Sequence, residues 1–275
     1  MDTLTLRIAL RHDRKPHHKP RRVGMFIVKT LAILGKTALA LIALGAGAMA
    51  HADMASDAGR FQTEFETQVA QAYQIHLDNG RLADYKKSLL DEPKIQELSS
   101  PEFVVVVNRH PQQQHLSLFI TDGKTAEYVG SAKVSTGSEN RKEYFYTPTG
   151  IFENKLENGN YRAIGTKNEN GVRGLGSKGM RVFDFGWQTS RAGWGRHNEA
   201  QIRLQMHGTD PDILEQRLGK PASKGCVRIH HDVNKFIDEN GIMDKNYNNK
   251  NAWVLSKNKK NSPYDGRYML VIDAN

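Results

Sequence analysis

"EFVVVVNRHPQQQHLSLFITDGKTAEYVGSAKVS", Glu102 to Ser135, decides the fold class. "EFVVVVN" is apolar without a break, the mark of a strand buried on both faces. "HLSLFIT" alternates with period two, and Asp122-Gly123 makes a tight turn into "EYVGSAKVS". Further strands are expected at "RVFDFGW" (181–187), "QIRLQMH" (201–207), "AWVL" (252–255) and "YMLVID" (268–273). Two helices interrupt them. "DPDILEQRLG" offers Asp210 as N-cap, Pro211 at the first helical position and Gly219 as the stop. "HDVNKFIDENG" sets Val233, Phe236 and Ile237 on one face and ends at Gly241. The expected body, residues 101–275, is mainly β with some helix.

Residues 53–100 read differently. Phe61, Phe65, Val69, Ala72 and Tyr73 recur at helical spacing between Ser56 and Asp78, and Asn79-Gly80 supplies a stop. A second short helix holds Leu82, Tyr85, Leu89 and Leu90 and ends before Pro93. This helical segment is expected to dock on the main domain or on a partner.

Residues 1–52 are expected to be an export leader, with Met25 an alternative start. A basic front end precedes an uncharged apolar run from Thr37 to Ala50 and the small pairs Ala48/Ala50 and Ala50/Ala52. The run is shorter than the roughly 18 residues of a membrane span, so any membrane attachment would come only through an uncleaved leader. The expected location is the periplasm or cell envelope. The leader also holds most of the net charge of +9, since residues beyond it hold 30 basic and 28 acidic side chains. Nucleic acid is therefore not an expected partner.

An exported chain with one cysteine, Cys226, has no intramolecular disulfide. Its neighbours Ser223, Lys224, Gly225 and Arg228 are a poor wall for a buried filler, and they suit a nucleophile better. In "QIRLQMHG", Ile202, Leu204 and Met206 alternate with Arg203, Gln205 and His207, which puts His207 on the polar face as a candidate base. Gly225 lets a substrate carbonyl approach backbone N–H groups, and Arg228 shares the cysteine's side of an extended segment. Two other motifs suggest different chemistry. "GLGSKG" (174–179) matches G-x-G-x-x-G, but a strand pattern follows it where a dinucleotide site needs a helix. His207, Asp210, His230 and His231 are candidates for a zinc site, yet no H-x-H or H-E-x-x-H pair is present. His230 and His231 read as polar residues at a helix start. No metal and no cofactor are expected.

"MHGTD" (206–210), followed nineteen residues after His207 by Cys226 in "SKGCVR" (223–228), resembles the signature of the L,D-transpeptidases, the YkuD-type catalytic domains. "KVSTG" (133–137) and "YTPTGIF" (146–152) resemble two further segments of that family. The resemblance implies a β-sandwich-like catalytic domain with a small capping subdomain. It implies Cys226 as acyl-accepting nucleophile, His207 as its base and the Gly208 carbonyl as the group orienting the imidazole. Ser223 would brace the site, Gly225 and Cys226 would supply oxyanion donors, and Arg228 would order the loop or the substrate. Lys224 stands where many members have histidine, and its ammonium would favour thiolate and attract an acidic stem peptide. The implied substrate is a peptidoglycan stem tetrapeptide. Acceptors range from a stem peptide or an envelope protein's lysine to a D-amino acid or water, so an L,D-carboxypeptidase or amidase is the nearest alternative. A zinc-dependent wall peptidase and a non-catalytic wall-binding module are more distant ones. The stretches Asn154–Gly179 and Phe183–Asn198, with Trp187 and Trp194, read as lid material.

Overall fold

In the computed structural model, residues 53–139, 141–247 and 252–275 are described. The leader lies outside them. Strand β1 (Glu102–Asn108) shows why its sequence is apolar throughout: Phe103, Val105 and Val107 enter one core, and Val104 and Val106 enter a second on the opposite face. β1 pairs antiparallel with β2 (His115–Thr121) and β2 with β3 (Ala126–Ser135). Their connection turns at Asp122, whose carboxylate accepts the Lys124 and Thr125 N–H groups, and at Gly123, which has φ +86°.

The remaining strands are β4 (Gly150–Glu153), β5 (Tyr161–Arg162), β6 (Arg181–Arg191), β7 (Glu199–Gly208), β8 (Val227–Ile229) and β9 (Tyr268–Ile272). They run in the order β4-β9-β1-β2-β3-β8-β7-β6-β5, with β1–β9 and β7–β8 parallel and the other neighbours antiparallel. The sheet curls, so Phe103 and Val105 of one half share a core with Leu204, Met206 and Val227 of the other. The architecture is mainly β, as expected.

Helix α1 (53–68) lays Met54, Ala58, Phe61 and Phe65 into the larger core, where the Phe65 ring occupies the space a side chain at Gly130 would need. Helices α2 (Asn79–Leu90) and α3 (Pro93–Gln96) cover the opposite face with Tyr85, Leu89 and Ile95. The N-terminal helices thus wall both cores and belong to the same compact unit as the strands. The first helix ends ten residues short of Asp78. Asp78 instead caps α2 by accepting the Arg81 N–H at 2.9 Å, so Asn79-Gly80 begins a helix and does not end one.

Three other expectations fail. Residues 252–255 form a turn closed by Leu255 N–H to Ala252 O, with Trp253 73% exposed; an isolated apolar run with no strand to pair with does not extend a sheet. Residues 210–219 hold one 3-10 turn (Glu215–Arg217) and no α-helix, because Asp210 is held by Arg173 and Glu215 turns toward two histidines. Within Phe183–Asn198, the stretch to Arg191 is strand β6 and not lid, with Trp187 exposed on it.

Helix α4 (His231–Glu239) follows β8 directly, buries Val233, Phe236 and Ile237, and is fastened by Arg181. This guanidinium is fully buried and donates to Asp238 at 3.1 Å and Asp244 at 3.0 Å. β8 is therefore fixed at both ends. Among the described residues no helix is long and apolar enough to cross a membrane.

Candidate active site

The parallel pairing of β7 with β8 sets Met206 against Val227, His207 against Arg228 and Gly208 against Ile229. Met206, Val227 and Ile229 are in the core, so the intervening residues face the other way. Arg203, Gln205 and His207 of β7 thus share one face with Cys226 and Arg228. The sequence alternation foretold this convergence.

His207 is buried, and its Nδ1 lies 2.8 Å from the Gly208 carbonyl oxygen. A carbonyl only accepts, so Nδ1 carries the proton and Nε2 is left as the basic atom. Burial lowers the His207 pKa to about 4, opposed by the Gly208 bond and aided by the Arg228 charge. Burial likewise raises the Cys226 thiol above its ordinary value, against the Gln205 backbone hydrogen bond and the Arg228 charge, with Asp184 adding to the rise. The resting pair is a neutral thiol and a neutral imidazole. The thiol donates weakly to Arg203 O at 3.8 Å, and among the described residues no hydrogen bond joins it to His207.

The turn before the nucleophile is built with care. Gly225 has φ +124°, a conformation that side-chain-bearing residues rarely adopt, so glycine is required there. Ser223 Oγ donates to Cys226 O at 2.6 Å and accepts from Gly225 N–H at 3.0 Å. That second bond commits the Gly225 N–H to bracing, so the expected pair of oxyanion donors loses one member. Arg228 is partly buried; its Nη1 reaches Ala222 O at 3.4 Å, and its Nε has no hydrogen-bond partner among the described residues. That Nε is shut off from solvent, so Arg228 acts on the thiol through its charge.

Lys224 departs from its expected place. Its ammonium is 60% exposed, lies 3.6 Å from the exposed Glu143 and sits over the Tyr144 ring. Lys224→Gln should leave the Cys226 pKa unmoved and change acylation by no more than about fivefold, since an exposed charge acts weakly through water. Thiol titration and acylation rates in the variant check both halves.

Other residues at the site were not assigned from sequence. Thr147 Oγ1 accepts from Gly137 N–H at 2.9 Å and donates to Gly225 O at 2.8 Å, tying "KVSTG" and "YTPTGIF" to the cysteine turn. Asp184 is buried and accepts from Arg203 Nε and Gln205 Nε2, both at 2.8 Å, and Gln205 also reaches Tyr161 OH at 3.2 Å. Only the Thr-Pro segment offered a signal; Asp184 read as one polar residue within a strand. The 174–179 glycine stretch is turn, with no helix after it, and Gly176 (φ +89°) packs against Gly208. The four sequence candidates for zinc do not assemble: Asp210 binds Arg173 and His207 binds Gly208 O, whereas His230 and His231 lie together.

Two buried histidines give the fold an acid limit. His115, hydrogen-bonded to Tyr85 OH at 2.9 Å, also has its pKa lowered to about 4, chiefly by burial. Both rings are neutral when folded but accept protons near pH 6.5 when unfolded. The unfolded state therefore binds more protons between those values. Stability should be full above about pH 6.5 and fall by on the order of a few kcal/mol as pH drops to about 4. Thermal melts across that range test this, and a melting temperature flat from pH 7 to 4 would refute it.

A family model described as the L,D-transpeptidase catalytic domain (YkuD) matches residues 102–259. No curated protein matches the chain. Among solved structures, the chain is similar to Bd1075 of Bdellovibrio bacteriovorus, with 14% identity and a TM-score of 0.35 over 64% of this chain and 49% of that one. It is also similar to the helical cell shape determining protein Pgp2 of Campylobacter jejuni, with 12% identity and a TM-score of 0.31 over 69% and 55% of the two chains. The chain thus spans about half the length of these two structures.

Proposed function

The chain belongs to the L,D-transpeptidase catalytic-domain family, and from that premise we propose that it is an exported, cysteine-dependent acyltransferase acting on peptidoglycan stem tetrapeptides in the periplasm or cell envelope. One observation carries the proposal: His207, Cys226 and Arg228 project from paired strands onto one face, with the imidazole oriented through Gly208 O.

His207 Nε2 takes the thiol proton as sulfur attacks the carbonyl that joins the third stem residue, through its L-centre, to D-Ala. The S–C bond forms, the C–N bond breaks, and the imidazolium returns its proton to the departing D-Ala amine. An acceptor amine then loses a proton to His207 and displaces the thiolate, or water does so. The thiol must turn from Arg203 O toward the imidazole first, a hydrogen bond that such sites commonly form only with substrate in place. Arg228 lies beside the thiol, where its positive charge favours the thiolate as it forms. Cross-linking and protein anchoring follow from an amine acceptor, and L,D-carboxypeptidase activity follows from water.

The deciding experiment is intact mass spectrometry after incubation with a purified disaccharide-tetrapeptide. The expected result is an acyl adduct that maps to Cys226 and decays on adding an amine. Turnover with no adduct at Cys226 would defeat the reading, as would an adduct on any other residue.

A further inference from the structure

Beyond the acyl-transfer site lies a second cluster, assembled from residues the family signature does not include. His230 follows β8 in extended conformation (φ −62°, ψ 151°) as the N-cap of α4, so it stands outside the helix that begins at His231. Two adjacent histidines diverge on a helix, but here the backbone bends between them and their rings lie 4.1 Å apart. Both face Glu215, from the 3-10 turn in the segment linking His207 to Cys226. His230 Nε2 is 3.2 Å from Glu215 Oε2, and His231 Nδ1 is 2.6 Å from Glu215 Oε1. One ligand atom from each of the three residues falls within 4.8 Å of the others.

The outer side of the cluster is also furnished. Asp232 Oδ2 lies 3.4 Å from His230 Nδ1, and Asp232 Oδ1 lies 3.1 Å from His231 Nε2. Each imidazole therefore turns one nitrogen to Glu215 and the other to a carboxylate, the outer support that metal-bound histidines usually have. Glu215 and Asp232 together carry two negative charges, and among the described residues neither is ion-paired with a lysine or arginine. His230 is 2% exposed, so it does not supply a cheap positive charge. The N-terminus of α4 opposes a cation only slightly, and the two carboxylates outweigh it.

We propose that Glu215, His230 and His231 bind a divalent transition-metal ion of the zinc class, with Asp232 as outer support. Two imidazoles and a carboxylate are a zinc donor set and a poor one for magnesium or calcium. Ligands at about 2.0–2.2 Å from a tetrahedral ion stand farther apart than the present Glu215–His231 contact, so Glu215 retreats slightly on binding. The Asp232 N–H now faces His230 Nδ1 at 3.2 Å; binding at Nε2 moves the ring proton to Nδ1, where Asp232 Oδ2 accepts it. His231 is 41% exposed, which leaves solvent access for a water as fourth ligand.

The ion is a clamp and not a reagent in acyl transfer. His230 lies four residues past Cys226, about 13 Å along an extended chain. The clamp ties the His207–Cys226 connection to α4, and through the Tyr73 ring stacked on His230 at 4.0 Å and the Ala70 N–H donated to Asp232, to the segment after α1.

The test is calorimetric titration of the metal-stripped full chain with Zn²⁺, in parallel with His231→Ala, Glu215→Gln and Cys226→Ala. Wild type and Cys226→Ala are expected to bind one equivalent at this site and to gain melting temperature. His231→Ala and Glu215→Gln should bind it at least about tenfold more weakly, no less than loss of an outer-shell partner costs, and lose the thermal gain. Substituting Co²⁺ should give visible bands that persist in Cys226→Ala and vanish in His231→Ala. Circular dichroism at a half-exposed position such as His231 confirms that the variant remains folded. The proposal is overturned if wild type binds no Zn²⁺, or if binding disappears in Cys226→Ala, which would place the ion on the thiol. Binding that survives His231→Ala and Glu215→Gln alike, as the leader histidines His12, His17 and His18 would give, overturns it as well. The acyl-enzyme assay is read separately, so failure of the metal site through Glu215 or His231 leaves the acyl-transfer reading standing.

Discussion

Cys226→Ala abolishes adduct formation with stem tetrapeptide, a loss of roughly 10⁴-fold or more, while the melting temperature stays close to wild type. The size of the effect follows from the chemistry. Without sulfur no thioester forms, and the side chains beside it on the β7–β8 face, Arg203, Gln205, His207 and Arg228, offer no replacement thiol or hydroxyl. The small stability change follows from the packing. The sulfur makes one weak 3.8 Å hydrogen bond to Arg203 O, whereas the turn itself is held by Ser223, Gly225 and Thr147 through bonds that do not use the thiol. Cys226→Ser is the companion variant, since it keeps the shape and offers an alcohol far less ready to ionise. Retained turnover of tetrapeptide in Cys226→Ala, with folding confirmed, would remove the cysteine from the mechanism altogether.

Strand periodicity carried most of what could be read beforehand. The unbroken apolar run at 102–108 announced burial on both faces, and the alternation of residues 201–207 put His207 on the polar side before any pairing was known. Gly225 was legible as a glycine the site needs but not for its reason: it was expected to offer its N–H to a substrate oxygen, whereas that N–H is bonded to Ser223 Oγ and the residue serves the turn through its φ of +124°. What escaped was set by long-range contact. Glu215 and Asp184 each read as one acidic residue in an amphipathic stretch; only the folded chain brings Glu215 to His230 and His231, and Asp184 to Arg203 and Gln205. The direction of the Lys224 side chain escaped for the same reason. Its place in the motif is next to the cysteine turn, but its side chain goes to Glu143 and Tyr144. The helix limits failed where a cap competed with a periodic pattern: Asp78 binds the Arg81 N–H and starts α2, and the apolar spacing that continued through Tyr73 could not reveal that.

His207→Ala should lower the rate of Cys226 acylation by about 10²- to 10⁴-fold, the range expected for loss of a positioned general base. The pH dependence distinguishes a base from a residue that merely supports the fold. With its pKa held near 4 by burial, His207 is neutral across the physiological range and accepts the thiol proton without first having to lose one. In wild type, acylation should therefore stay level as pH falls from 7 toward 5 and decline as His207 protonates near pH 4. Because burial also raises the thiol pKa, acylation should not depend on a pre-formed thiolate at neutral pH. In His207→Ala the sulfur must ionise to solvent, so the residual rate should climb with hydroxide concentration through the alkaline range, and the acid limb near pH 4 should vanish. Acid unfolding shares part of that window through His115 and His207, so the acylation profile is to be taken beside thermal melts at each pH. His207→Gln keeps a hydrogen-bonding group of similar reach without a titratable nitrogen, and it should behave like the alanine variant kinetically. A folded His207→Ala protein that acylates within about tenfold of wild type, or that keeps the acid limb, would show that the thiol gives up its proton elsewhere.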